Sequence, residues 1–279
     1  MKKIILFILG FTLFYNLILY YVSYKIEKRS NDGIYDKCDK IWISRGLYNE
    51  PTQQNSLSAL KKAFEAGAKG VEIDFYYDIA SNRFILSHNK PAKKPDGTLI
   101  YPLKDGKILT LQEVFDTYGK GHYFWLDFKN LDRLTTKQTQ KAIKRLQKIS
   151  SKENLKQRLY IEGSTPWHLI YYKDAGFHTI MAFHPLPTNE FLSALSSNFF
   201  KLLYYFYDLD GVALPYGTLD RVKYKNSTQQ ALHNVPTFIF HVPDNEKLIK
   251  KLIHIKDIRV ILVGRDQSIN RVNITNCKE

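Results

Sequence analysis

The chain has 279 residues, 44% hydrophobic and 24% charged, which is ordinary globular material able to bury one large core or two small ones. Its net charge is +14, and residues 1–29 hold five cations and one anion, so the remainder keeps about +10. That balance suits anionic lipid head groups, phosphodiesters or nucleic acid. No zinc finger or aromatic RNA-binding strand pair is present, so nucleic acid is set aside as a partner.

Residues 4–24, IILFILGFTLFYNLILYYVSY, are uncharged throughout. At the helical rise they would run about 30 Å, one hydrocarbon thickness, so a single N-terminal transmembrane helix is expected. A cleaved signal peptide fits less well, because its apolar stretch should be shorter and end on small residues rather than on YYVSYKIEKR. Lys2 and Lys3 flank one end, while Lys25, Lys28 and Arg29 flank the other, so basic residues barely decide orientation. Residues 1–29 are thus expected to form the anchor with its basic flanks, 30–40 a tether, and 41–279 the folded domain.

Eight short apolar runs suited to buried strands follow: IWIS (41–44), GVEIDF (70–75), YFWLDF (123–128), RLYIEG (158–163), HTIMAF (178–183), LDGVALP (209–215), PTFIFHV (236–242) and IRVILVG (258–264). Segments of helical period lie between them, several opening on Ser, Thr, Pro or Asp and two closing on Gly. Eight strands with interleaved helices in one stretch of this length predict a single (β/α)8 barrel of the TIM type. The sixth helix is indistinct, and the last must fit into the tail after Gly264. Cys38 precedes the first strand and Cys277 nearly ends the chain, places that a closed barrel brings together. A bridge between them would put the barrel outside the cytoplasm; two unrelated thiols are the other reading.

In such a barrel, chemistry belongs at the carboxyl ends of the strands. Ser44 and Arg45 end the first strand, Glu72 and Asp74 the second, Asp127 and Lys129 the third, and His88 follows the inserted run RFILSH. Glu72 and Asp74 are two apart on a strand, so both carboxylates project to one side. Two such charges repel unless a cation sits between them. Asp127 from the neighbouring strand makes three hard oxygen ligands, which suits Mg2+ or Ca2+. Arg45 and Lys129 add fixed positive charge suited to phosphate oxygens.

The runs SRG, QNSLSALKKAFEAGAKGVEIDF, FILSHN, ILTLQEVF and WLDFK, all within residues 44–129, resemble the glycerophosphodiester phosphodiesterase family, and the last two strands are similar to that family's in outline. The family pattern is His-Arg-Gly, Glu-Asn-Thr, Glu-x-Asp, His-Asp, Thr-Leu-x-Glu and a strand ending Glu-x-Lys. The resemblance implies a metal-dependent barrel acting on a glycerophosphodiester or lysophospholipid-like substrate. It implies metal ligation by Glu72, Asp74 and Asp127, phosphate contacts from Arg45 and Lys129, and acid/base work by His88. This chain departs from the pattern at Ser44, where the family has its other catalytic histidine, at Gln54 for Glu, Asn89 for Asp and Asp127 for Glu. The segment between His88 and ILTLQEVF is also short for the family's inserted subdomain.

Serine does not titrate near neutral pH, so Ser44 cannot act as the missing base or acid. A divalent ion could supply the base by lowering the pKa of its water, or His184 or His241, at the ends of the fifth and seventh strands, could reach in. Two functions therefore remain open. One is a membrane-anchored phosphodiesterase; the other is a barrel that binds anionic phospholipid or phosphodiester without turning it over.

Overall fold

The computed structural model describes residues 2–31, 33–152, 154–186 and 189–264. Helix α1 (Lys2–Glu27) opens the chain and leads, through Ile34 and Tyr35, to β1 (Ile41–Ser44). There follow α2 (Leu57–Glu65), β2 (Gly70–Asp78), β3 (Arg83–Leu86), the small hairpin β4 (Ala92–Lys93) and β5 (Leu99–Ile100), and α3 (Leu111–Tyr118). Next come β6 (Tyr123–Phe128), α4 (Thr136–Ile149), β7 (Leu159–Gly163), α5 (Pro166–Asp174), β8 (His178–Ala182) and α6 (Glu190–Phe206). The described chain closes with β9 (Gly211–Pro215), α7 (Asn226–Ala231), β10 (Thr237–Phe240), α8 (Glu246–Ile253) and β11 (Ile258–Val263).

Eight of these strands run parallel in the order β1-β11-β10-β9-β8-β7-β6-β2, and β1 pairs back onto β2 through Ile43 opposite Val71, which closes the barrel. The predicted (β/α)8 architecture is what forms, with each strand read from an apolar run and most helices opened by a side-chain cap. Thr110 and Glu113 cap α3 reciprocally, Thr135 and Gln138 do so for α4, and Ser56, Asn189 and Asn245 cap α2, α6 and α8. The indistinct sixth helix is the six-residue α7. The helix expected after Gly264 lies outside the described residues, as does Cys277, the second half of the expected bridge.

The barrel interior is filled by large rings. Trp42, Trp125, Tyr160 and Phe238 are all buried there, and the Trp42 ring sits so close to Gly70 that a Cβ at that position would lie 2.3 Å from it. Within the expected tether, residues 30–40, Ile34 and Tyr35 pack into the floor of the barrel. The Tyr35 backbone N–H donates to the Tyr160 hydroxyl at 3.0 Å, and its ring stands edge-on to Trp42 and Tyr123.

The expected transmembrane span needs correction. Among the described residues no helix is long and apolar enough to cross a membrane. The C-terminal half of α1 is instead packed on the barrel: Val22 and Ile26 are buried, Tyr21 meets Tyr205 edge-on at 6.2 Å, and Lys201 Nζ donates to Ser23 Oγ at 3.0 Å. Arg29 then pairs with Asp208 at 2.9 Å and lies over the Tyr204 ring. Phe11 and Tyr15 near the start of α1 lie by Leu195 and Phe199, whereas Arg29 beyond its end reaches Asp208, so α1 runs parallel to α6, from the carboxyl face of the barrel to its floor. The other half of α1 exposes apolar side chains, among them Ile4, Leu6, Phe7 and Leu9.

Candidate active site

Strand register sets the site. Ser44 is opposite Glu72, Asp74 opposite Asp127, and Asp127 opposite Glu162, so adjacent parallel strands deliver five polar side chains on two neighbouring levels at the carboxyl face. The β1–α2 turn then bends sharply. Arg45 has φ +60° and Gly46 φ +82°, both left-handed, and a Cβ on Gly46 would meet the Ala59 carbonyl carbon at 2.5 Å. That turn swings Arg45 over the acidic side chains. The antiparallel β3, paired to β2 from Phe75–Leu86 to Asp78–Arg83, brings His88 back to the same rim.

Around Asp74 the contacts are dense. Arg45 Nε lies 3.0 Å from Oδ2 and 3.9 Å from the Glu72 carboxylate. Lys129 Nζ lies 2.6 Å from Asp74 Oδ1 and also bonds Asp127. Asn55 donates from Nδ2 to Asp74 Oδ2 at 2.9 Å, while its Oδ1 accepts from the Asp74 backbone N–H at 3.1 Å. Ser44 Oγ donates to Glu72 Oε2 at 2.7 Å, and Gln54 accepts from Arg45 Nη1 at 2.9 Å.

Ser44, Arg45, Glu72, His88, Asp127 and Lys129 line one cavity of about 790 Å³, with Asp74 fully buried beneath it. All seven expected site residues are therefore brought together. His184 and His241 line the same cavity. His241 has φ +49°, the kind of sparsely populated conformation that collects at functional sites. Burial first, then the cations Arg45, Lys223 and Lys129 and the ring of His184, hold its imidazole below the ordinary histidine range.

Two residues of this environment were not picked out from sequence. Glu162, at the end of β7, is buried and accepts from the indole N–H of Trp125. Its position at a strand's carboxyl end, level with Asp127 on the next strand, is the available signal. Lys104, on the loop after β5, is 4% exposed and donates to the Thr52 carbonyl at 3.1 Å, holding the β1–α2 turn from above. No sequence pattern marks it.

The charges do not balance. Burial and then the charges of Asp74 and Asp127 push the Glu72 carboxyl well above the usual carboxylate range, and burial beside Asp127 does the same to Glu162. Burial also raises Asp127, whereas at Asp74 the cost of burial is outweighed by Lys129 and Arg45, which hold it down. The same carboxylates keep Arg45 and Lys129 protonated despite their own burial. Two fixed cations thus face four carboxyls, a cluster short of positive charge. Glu72, Asp74 and Asp127 each offer an oxygen within 4.8 Å of the others. Hard oxygens at that spacing fit one divalent ion coordinated at about 2.3–2.6 Å. The cluster can hold such a metal.

The architecture and the mouth define a closed (β/α)8 barrel with an acidic, cation-braced pocket. No family model matches the chain, and no curated protein matches it. Solved structures do. A glycerophosphodiester phosphodiesterase from Parabacteroides distasonis superposes with a TM-score of 0.57 at 14% identity, covering 83% of this chain and 94% of that one. A glycerophosphodiester phosphodiesterase from Agrobacterium tumefaciens gives 0.54 at 10% identity, covering 82% and 97%. At these identities the likeness shows the fold: this chain has the barrel of glycerophosphodiester phosphodiesterases over most of its length.

Proposed function

We propose that the protein is a divergent member of the glycerophosphodiester phosphodiesterase family, a phosphoric diester hydrolase attached to a membrane through α1. The observation that carries this reading is the convergence of Glu72, Asp74 and Asp127 on one point, with Arg45 and Lys129 set against them. Glu72, Asp74 and Asp127 would hold Mg2+ or Ca2+, which when bound offsets phosphoryl charge and lowers the pKa of coordinated water. Arg45 and Lys129 orient the diester through its non-bridging oxygens. His88 supplies the proton to the departing alkoxide. Its Nδ1 lies 3.0 Å from Asn89 Oδ1, a contact that fixes the ring without the charge an aspartate would bring.

Ser44 positions Glu72 and takes no part in proton transfer. Its hydroxyl is committed to that carboxylate, and this same contact favours the second reading, a barrel that binds phosphodiester without turnover. Calorimetry on the full chain with Mg2+ or Ca2+, and alcohol release from a panel of glycerophosphodiesters with and without chelator, separates the two. Metal-dependent release that is lost in His88→Ala supports the enzyme; metal and ligand binding without release supports the binder. Failure of wild type and Asp74→Ala alike to bind any divalent ion would sink both.

Membrane attachment rests on the exposed apolar half of α1 and on the basic excess of the chain. We place the barrel outside the cytoplasm, on the strength of Cys38 and Cys277 as a candidate pair. Electrophoresis with and without reductant tests it: unshifted mobility and two alkylatable thiols in material isolated without reductant would refute the pairing.

A further inference from the structure

A second hollow adjoins the catalytic mouth. It is an open groove of about 520 Å³ between α1 and α6, walled by Phe11 and Tyr15 on one side and Leu195, Phe199 and Phe200 on the other, with His184 at its end. His184 also lines the mouth and stands edge-on to Phe240 in the mouth's wall, so the two hollows meet at that ring. Phe200 stacks on Phe183 at 4.3 Å, so the groove floor is anchored to the residue following β8.

The two hollows differ in chemistry. The mouth is acidic, holds two cations and is sized for a head group carrying a phosphodiester. The groove is walled by carbon and lies within the roughly 300–1,000 Å³ typical of ligand clefts. Phe11, Leu195 and Phe199 stay 63%, 42% and 53% exposed, although they line the same groove. A contiguous apolar surface of this kind marks an interaction site. Polar mouth and apolar groove together complement an amphiphile, anionic at one end and hydrocarbon at the other.

We propose that the α1–α6 groove is the hydrocarbon subsite of the mouth, so that the phosphodiester bound there carries a single acyl or alkyl chain and enters from the membrane side. This rests on the phosphodiester reading of the mouth and narrows it: a deacylated, freely soluble glycerophosphodiester leaves the groove unfilled. It also gives α1 a role beyond attachment, since Phe11 and Tyr15 form one wall of the substrate site.

The test is calorimetric binding to the full chain in nanodiscs of zwitterionic lipid. The probes are glycerophosphocholine and lysophosphatidylcholines of 6, 8, 10 and 12 carbons, each below its micelle threshold. Phe199→Glu and Leu195→Glu, both at exposed positions, serve as groove variants, with thermal midpoints to show that they fold. The wild-type protein should bind tighter as the chain lengthens, by up to about fourfold per methylene, the equivalent of about 0.8 kcal/mol for each buried methylene. Both variants should lose that dependence yet bind glycerophosphocholine as the wild type does. Equal affinity for all chain lengths, or equal chain dependence in wild type and variants, overturns the groove while leaving the mouth standing. No binding of any phosphodiester overturns both. A doubling of mass in sedimentation that Phe199→Glu abolishes would assign the groove to a second copy of the chain, and would overturn the lipid subsite too.

Discussion

Asp74 holds the candidate site together: it is fully buried and touches Arg45, Lys129 and Asn55 at once. Asp74→Ala leaves two partly buried cations without their shared partner, and breaking such a pair costs about 3–5 kcal/mol. The expected outcome is a lower denaturation midpoint together with loss of any stabilisation by added Mg2+ or Ca2+. Ser44→His makes the opposite change. If the absent imidazole limits turnover, restoring it should raise the rate by about 10² to 10⁴, and a diester assay under single-turnover conditions reads that directly. A third residue-scale expectation concerns pH. Burial holds His178, stacked on Tyr160 at 4.8 Å, below the ordinary histidine range. Below pH about 6.5 the unfolded chain therefore takes up a proton that the folded chain refuses, and stability falls as pH falls through that window. Denaturant midpoints at pH 7 and pH 5.5 should differ less in His178→Gln than in the wild type. At this scale the convergence of the seven candidate residues was legible in sequence, because each stands at or just beyond the carboxyl end of an apolar run. Glu162 was not, because a lone acid after apolar residues gives no sign that its neighbour across the sheet is Asp127.

Elements were legible where burial is one-sided or complete. The eight barrel strands read as apolar runs because both their faces are covered, and the helices read through their caps. The docking of α1 on α6 was not legible for a physical reason. Ile18, Val22 and Ile26 form the stripe that faces the barrel, but the positions around them are apolar as well, so no period separates the buried face from the exposed one. Ile26→Ala tests the docking. A helix packed as seen here should lose about 2–5 kcal/mol from its local or global stability, measured by hydrogen exchange across residues 20–29. A helix that merely trails from a tether would lose nothing.

Across the whole molecule, a basic chain presents an apolar half-helix beside an acidic pocket. Each Lys or Arg near an anionic surface contributes about 1 kcal/mol to attraction, and that contribution is screened within about a Debye length. Binding of the full chain to vesicles containing anionic lipid should therefore weaken as salt rises from about 50 to 500 mM, read by co-sedimentation, with a residual salt-insensitive part from α1.

The parallel run of α1 and α6 also sets a height. Phe11 lines the groove, and each further turn of α1 advances about 5.4 Å along the helix axis. On the membrane attachment proposed above, α1 would act as a depth gauge, a rod that fixes how far from the lipid the candidate site stands. Lengthening that rod by one turn would lift the opening by about 5 Å, beyond the reach of a head group still seated among its neighbours.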